Sequence, residues 1–269
     1  MKKLFFILMV FVSLKVRAQE LFVFTEPASN MPAKSLGIRD MNAFMFEKDG
    51  KLNYHNMPEL MWGINKKWMV HAQGFISNRQ EGGLKAEGGS LYAKYRFLSM
   101  DDIQSHFRMA VYGRYSLNNA DIHQQEIETM GHNTGYESGI IATQLLHKIA
   151  LSTSLSYERA LDNKPDYKFP GSESNSAINY TFSVGKLMLP KVYRDYNQTN
   201  MNFMLEFLGQ RLNDNGKSYL DIAPSVQFII NSQARVDIAY RQELYSTMQR
   251  TAPNGIVLKF EYTLFNVFK

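Results

Sequence analysis

The sequence contains no cysteine at all among its 269 residues. That absence excludes a disulfide framework, a thiolate metal site and an anchor through a lipid-modified cysteine. Long hydrophobic runs are also missing, since no stretch after the N-terminus has the roughly 20 apolar residues that a spanning helix needs. With a mean hydropathy of −0.31, the chain is too polar for a helical membrane protein. It is compatible with a barrel, whose residues face lipid only at every second position.

The N-terminus predicts export. Lys2 and Lys3 form a basic start, and residues 4–14 form an apolar run about half as long as a membrane-spanning helix. A small residue follows at Ala18, where a signal peptidase would cut. We therefore expect residues 1–18 to be a signal peptide and the mature chain to begin near Gln19.

The clearest pattern in the chain is the alternation over residues 255–268. One face is apolar and aromatic, and it consists of Ile256, Leu258, Phe260, Tyr262 and Leu264. The interleaved face carries Val257, Lys259, Glu261 and Thr263. A period of two indicates a β-strand. An oily aromatic face opposite a charged face is typical of the closing strand of an outer-membrane barrel, in which lipid lies outside and water inside.

The same alternation predicts about twelve strands. The segments are 38–46, 59–64, 68–75, 90–97, 106–115, 136–146, 148–157, 177–188, 201–210, 219–230, 234–244 and 255–268. Connections that would lie outside the cell are long and polar, at 47–58, 77–89, 117–135, 160–176, 212–218 and 246–254. Most of the connections between them are shorter, and bacterial barrels show this asymmetry.

We therefore predict an all-β protein: a single antiparallel transmembrane β-barrel of about 12 strands, with N- and C-termini periplasmic, in the bacterial outer membrane. Residues 38–269 form the barrel. Residues 19–37 form a periplasmic lead-in, which either stays outside or enters the barrel mouth as a partial plug. A soluble sandwich or a lipocalin-like barrel is the alternative. Two features argue against a soluble protein: the length of the strands, and the charged residues on the face opposite the aromatic residues. A soluble barrel would bury its apolar residues inside.

The inward-facing charged residues are the candidate lumen and selectivity residues. Strands four and five contribute a basic cluster, and the late strands contribute a mixed set. The full set is Lys94, Arg96, Arg108, Arg114, Glu206, Asp221, Arg235, Asp237, Arg241, Glu243, Lys259 and Glu261. One interpretation is a pore whose field selects solutes. The other is a narrow interior cross-linked by salt bridges, since twelve strands lie between filled small barrels and open porins.

Catalysis and metal binding have weak support in the sequence. No His-x-Ser occurs, Ser105 and His106 fall on opposite faces of a strand, and Asp121 with His123 is one pair in a polar loop. We expect no enzymatic activity. Histidine and methionine side chains suit copper, and several occur in the first and third predicted outer loops. They have no tight spacing; they are His55, Met57, His123, Met130 and His132. We expect no metal and no cofactor.

These observations predict a channel or transporter that passes small solutes across the outer membrane. The alternative is a closed barrel whose outer loops bind a ligand, metal or partner. The expected partners are membrane lipid, lipopolysaccharide, the β-barrel assembly machinery and a small-molecule solute. The net charge of +5 suits anionic headgroups or solutes, and no segment matches a nucleic-acid module.

The span 219–262 resembles the closing hairpins of an outer-membrane transporter family labelled for the meta-pathway of phenol degradation. The likeness rests on Leu220-Asp221-Ile222-Ala223-Pro224-Ser225-Val226-Gln227 and on Ala234-Arg235-Val236-Asp237-Ile238-Ala239-Tyr240. It implies a channel or uptake role for small solutes, with aromatic solutes as one candidate class, and it carries no catalytic residues. The lead-in Glu26-Pro27-Ala28-Ser29-Asn30 also resembles that of barrels from Bacteroidetes-type bacteria, while Lys269 after the final aromatic residue departs from the assembly signal.

Overall fold

The computed structural model describes residues 22–80, 83–102, 105–191 and 198–268, so the predicted signal peptide lies outside the described residues. Twelve strands run through them. They are β1 (Ser35–Phe46), β2 (Leu52–Gly63), β3 (Trp68–Ser77), β4 (Lys85–Asp102), β5 (Ser105–Asn118), β6 (Gly135–Leu146), β7 (Ile149–Ala160), β8 (Ser176–Leu189), β9 (Asn200–Leu212), β10 (Ser218–Ile230), β11 (Ala234–Ser246) and β12 (Asn254–Leu264).

The strands form one closed barrel. Each strand pairs with its neighbours in the chain, and β12 pairs with β1 in antiparallel register from Leu36↔Leu264 to Phe46↔Asn254. Closure leaves no unpaired sheet edge, which is the condition for crossing a bilayer with strands. The prediction of a single antiparallel barrel of about 12 strands is confirmed.

The side chains divide between the two faces as the alternation predicts. On β12, Phe260 is 45% exposed on the outer surface, whereas the neighbouring Lys259 is 3% exposed and points inward. The same arrangement occurs on β11, where Ile238 is 47% exposed on the outer surface and Asp237 is 0% exposed inside. An apolar exterior around a polar interior is the reverse of a soluble barrel, and it is the arrangement of a bacterial outer-membrane barrel. The protein is therefore a membrane-spanning barrel.

Strand β2 begins earlier than the sequence predicts. The first outer connection was expected at 47–58, but β2 starts at Leu52, so His55 and Met57 belong to a strand and are buried on its inner face. The outer face of this region is polar too: Asp40 accepts hydrogen bonds from Asn42 and Asn56. With polar residues on both faces, the hydrophobic alternation disappears, so the sequence predicts a loop where the structure has a strand.

The two ends of the barrel differ. At the end where β1 begins and β12 ends, the described connections include tight turns such as 147–148 and 231–233, while the opposite end carries 119–134 and 161–175. Phe268, predicted to lie in the last strand, follows its end at Leu264 and packs against Trp62 with ring centroids 5.2 Å apart. Among the described residues, no helix combines the length and apolarity needed to span a membrane.

Candidate functional site

The lumen contains a segment of the chain's own N-terminus, residues 22–31, which we call the plug. The Glu206 carboxylate on β9 accepts hydrogen bonds from three consecutive backbone N–H groups, with N···O distances of 2.8 Å from Val23, 3.2 Å from Phe24 and 2.7 Å from Thr25. Lys259 on β12 donates to the carbonyls of Phe22 and Val23, each at 3.1 Å. Two charged lumen residues thus hold the plug through its backbone.

The remainder of the plug is held in the same manner. The Lys94 ammonium donates to the Pro27 carbonyl at 2.8 Å, and the backbone N–H of Ala28 donates to Thr143 Oγ1 at 2.9 Å. Arg108 donates to Ser29 Oγ at 2.9 Å. Apolar contacts add to these bonds, because Phe22 and Val23 are buried in an apolar cluster inside the barrel, and Phe24 packs against it. The plug is therefore held by polar and apolar contacts together.

From the other end, the connection between β5 and β6 folds into the barrel; we call residues 119–134 the inward loop. The backbone N–H of Ile127 donates to Gln210 Oε1 at 2.9 Å, and that of Thr129 donates to Glu158 Oε1 at 2.6 Å. Ile127 is buried against apolar side chains of the barrel wall. The inward loop thus closes the lumen at the outer end.

Arg250, in the connection between β11 and β12, ties the inward loop to the wall. Its guanidinium donates to Glu126 of the loop at 2.7 Å and to both Asp221 oxygens at 2.7 Å, and it lies 3.8 Å from the Tyr219 ring centroid. Arg241 contacts Glu126 at 3.2 Å. Burial opposes ionisation of Glu126, but the two guanidinium groups outweigh it and lower its pKa to about 2. The loop's anchor is therefore an ion pair at neutral pH.

Nine of the twelve residues predicted to line the lumen fall into three arrangements inside the barrel. Glu206, Lys259 and Lys94 hold the plug, and Asp221, Arg241 and Glu243 belong to the Arg250 cluster. A third group links β11 and β12, where Arg235 contacts Asp237 at 3.1 Å and Glu261 at 2.9 Å. The ionic groups therefore pair largely with one another.

The predicted basic cluster of strands four and five is distributed over separate partners. Arg114 contacts Glu137 at 3.4 Å, Arg108 contacts Asp101 at 2.9 Å, and Lys94 contacts Glu26 at 3.3 Å. Arg96 is partly exposed beside a β-bulge in the β4–β5 pairing. Three of these four basic residues therefore have a carboxylate close by.

Several charged lumen residues lie where the sequence pattern does not reveal them. Arg39 on β1 contacts Glu59 at 2.9 Å and Glu261 at 3.0 Å, which joins β1 to both of its neighbours. Their alternate positions along the strand indicate that they face inward. The outer faces of β1 and β2 also carry polar residues, so the hydrophobic alternation does not show which face is which. Arg250 lies in a loop, where no periodicity exists to reveal that it points inward.

A cavity of about 230 Å³ lies between the plug and the inward loop. Of the predicted selectivity residues, Arg114, Arg241 and Lys259 line it, together with carboxylates such as Glu137 and Glu158. A wider vestibule of about 640 Å³ opens at the outer end. Gln124 and His132 of the inward loop line both spaces, so this loop separates the inner cavity from the outside.

The metal-ligating residues considered in the sequence fall in two places. His123 is exposed in the vestibule, with Nε2 3.8 Å from Asp121. His55 and His132 instead stack, with ring centroids 4.9 Å apart and planes at 17°. Across the described ranges, no three His, Asp or Glu residues converge as metal ligands.

No protein-family model matches the sequence, and no curated protein matches it. Among solved structures, the NanC porin has a TM-score of 0.49 and 11% identity, over 86% of this chain and 98% of that one. OmpF of Salmonella typhi has a TM-score of 0.37 and 9% identity, over 86% and 96%. OccK2 of Pseudomonas aeruginosa has a TM-score of 0.39 and 9% identity, over 86% and 96%. The resemblance of residues 219–262 to the phenol-pathway transporters stays a prediction.

Proposed function

We propose that this protein is a gated outer-membrane channel for small polar solutes, closed at rest by the plug on the periplasmic side and by the inward loop on the outer side. The observation that carries the proposal is the cavity of about 230 Å³ inside the barrel, which these two segments border from opposite ends. Both closing segments are parts of the chain that the barrel wall does not need, since its twelve strands close without them.

The way the plug is attached supports a removable closure. Its hydrogen bonds to Glu206, Lys259 and Lys94 involve backbone atoms, and water can take over such bonds when the segment leaves. A hydrogen bond to a charged group contributes about 1.5–3 kcal/mol net. Together with the apolar contacts of Phe22 and Val23, these bonds hold the plug closed at equilibrium.

A disulfide should lock the channel closed. Thr25 Oγ1 of the plug lies 2.6 Å from Ser183 Oγ of β8, so cysteines at these positions are within reach of a disulfide, and the native chain has no cysteine to compete. In planar bilayers, oxidised T25C/S183C should show no conductance steps, and reduction should restore those of the wild type. The two single variants serve as controls. Equal conductance before and after oxidation would exclude this gating route.

Charge selectivity is proposed to come from the residues that line the cavity. Arg114 is the candidate, because it borders the cavity beside Glu137, whereas Arg108 does not line it. A unit charge about 8 Å from a permeating ion contributes at most about 2 kcal/mol at an effective dielectric constant near 20. Arg114→Gln should therefore shift the reversal potential toward cations by a several-fold change in permeability ratio. Arg108→Gln should shift it less, and equal shifts would count against the cavity as the selective region.

The alternative function is a permanently closed barrel whose outer loops bind a ligand or partner. The pairing of most lumen charges favours it, since salt bridges such as Arg250–Asp221 cross-link the interior. The two functions differ in conductance, because a permanently closed barrel gives no steps even when the plug is released. In either case the barrel would contact lipid and lipopolysaccharide and would require the assembly machinery for insertion.

A further inference from the structure

One wall of the inner cavity is lined by thioethers and imidazoles. Met57 follows His55 by two positions on the inner face of β2, and Met130 precedes His132 by two positions in the inward loop. All four residues line the same cavity. Met57 is buried in an apolar cluster against which Met130 packs. A strand and a loop that are 75 residues apart in sequence thus bring the same pair of residue types together.

Gly131 leaves space at the centre of this group. A side chain there would begin 3.8 Å from Met57 Sδ and 4.0 Å from His55 Nδ1, and the backbone has φ of +113°, which favours glycine. The sulfur and the nitrogen therefore approach a common position that carries no side chain. The His132 ring stacks on that of His55, so a second imidazole lies beside this position.

Neighbouring groups orient the ligand atoms. Gln124 lies 2.8 Å from His132 Nδ1, so Nε2 is the nitrogen that can bind a metal ion, and Glu128 Oε2 lies 3.6 Å from it. The nearest cation, Arg79, is neutralised by Glu87 at 2.6 Å and donates to the Gly131 carbonyl. His132 also borders the outer vestibule, which provides a path from outside the cell.

We propose that His55, Met57, Met130 and His132 bind a soft monovalent metal ion, Cu(I), between the vestibule and the inner cavity. Thioether sulfur selects soft ions, and imidazole accompanies it in copper sites. Calcium and magnesium need several oxygen ligands, which this wall does not supply. The described residues also lack a His, Asp or Glu triad, so the thioethers are needed to complete the ligand set. The proposal goes beyond solute conduction and does not depend on it.

The experiment is a competition titration of the purified full chain in detergent, with Cu(I) kept reduced and bathocuproine disulfonate as the chromophoric competitor. We expect one Cu(I) per chain. Met57→Leu with Met130→Leu should weaken binding at least about tenfold, the loss that even outer-shell changes produce at metal sites. Leucine conserves volume here, so the barrel should stay folded. Met69→Leu, in a separate buried cluster with Met31 and Met61, is the matched control.

X-ray absorption at the copper edge gives a second readout, in which we expect both sulfur and nitrogen neighbours. The proposal is overturned if the wild type retains no Cu(I) against the competitor, if the double variant binds as tightly as the wild type, or if the absorption spectrum shows no sulfur. Conductance is measured separately. If the protein binds Cu(I) but never conducts, the channel function is wrong and the metal site stands. If it conducts but does not bind Cu(I), the metal site is wrong and the channel function stands.

Discussion

Replacing Glu206 with glutamine should open the channel. The carboxylate accepts backbone hydrogen bonds from Val23, Phe24 and Thr25, and glutamine removes both the charge and one acceptor oxygen. Hydrogen bonds to a charged group contribute about 1.5–3 kcal/mol. Since each 1.4 kcal/mol changes an equilibrium tenfold, the open fraction should rise roughly ten- to a hundredfold. Single-channel recording in planar bilayers measures it as the fraction of time spent in conducting states.

Glu47→Gln is the matched control for this prediction, because Glu47 lies at the outer rim, far from the plug. Within the described residues, its one ion pair is with the exposed Lys51, at 3.9 Å. It makes the same chemical change without touching the plug, so its open fraction should equal that of the wild type. If Glu206→Gln leaves the open fraction unchanged while deletion of residues 22–31 raises it, the plug gates the channel but Glu206 does not hold it. If neither change produces conductance, the closed-barrel function is correct.

Replacing Arg250 with methionine should release the inward loop and destabilise the barrel. Arg250 is almost fully buried, and its removal leaves Asp221 and Glu126 without their main cationic partner. Breaking a buried pair costs about 3–5 kcal/mol when the remaining charge has no other partner. Arg241 still contacts both carboxylates, so we expect the lower end of this range, about 3 kcal/mol. For a chain of this size, that corresponds to a fall in Tm of roughly 6–12 °C, which thermal unfolding in detergent measures.

Limited proteolysis tests the release of the loop directly. The inward loop contains no lysine or arginine, but a glutamate-specific protease can cut it at Glu126 and Glu128. Cleavage should be slow in the wild type and fast in Arg250→Met. Arg211→Met, at an exposed position near the end of β9, should change neither the Tm nor the cleavage rate. A normal Tm and slow cleavage in Arg250→Met would show that the loop is held by its other contacts, such as Thr129 on Glu158.

Much of the barrel follows from local chemistry. The alternation of Ile256, Leu258 and Phe260 with Val257 and Lys259 needs only two different solvents on the two faces of a strand, so it can be read without knowing which strands pair. The pattern failed at β2, where polar residues occupy both faces. There the partner strands, through registers such as Arg39↔Glu59, determine the structure rather than the strand's own hydrophobicity.

The candidate site is different, because its parts come from distant segments. That Glu206 and Lys259 point inward is predictable from parity, but that they meet the backbone of residues 22–25 is not, since the plug has no periodicity of its own. The encounter of His55 with His132 likewise depends on a loop folding back into the barrel. No local sequence pattern predicts that residues 119–134 fold into the barrel and close its outer end.

The sequence by itself determined the approximate strand count, the direction that side chains face in the strands with clear alternation, and the membrane as the surrounding solvent. These depend on the contrast between lipid and water across a single strand, which repeats at every second residue. The tertiary structure alone decided what fills the barrel, which charges pair and where a cavity remains. Those features depend on long-range contacts among side chains and irregular backbone, and no local periodicity records them.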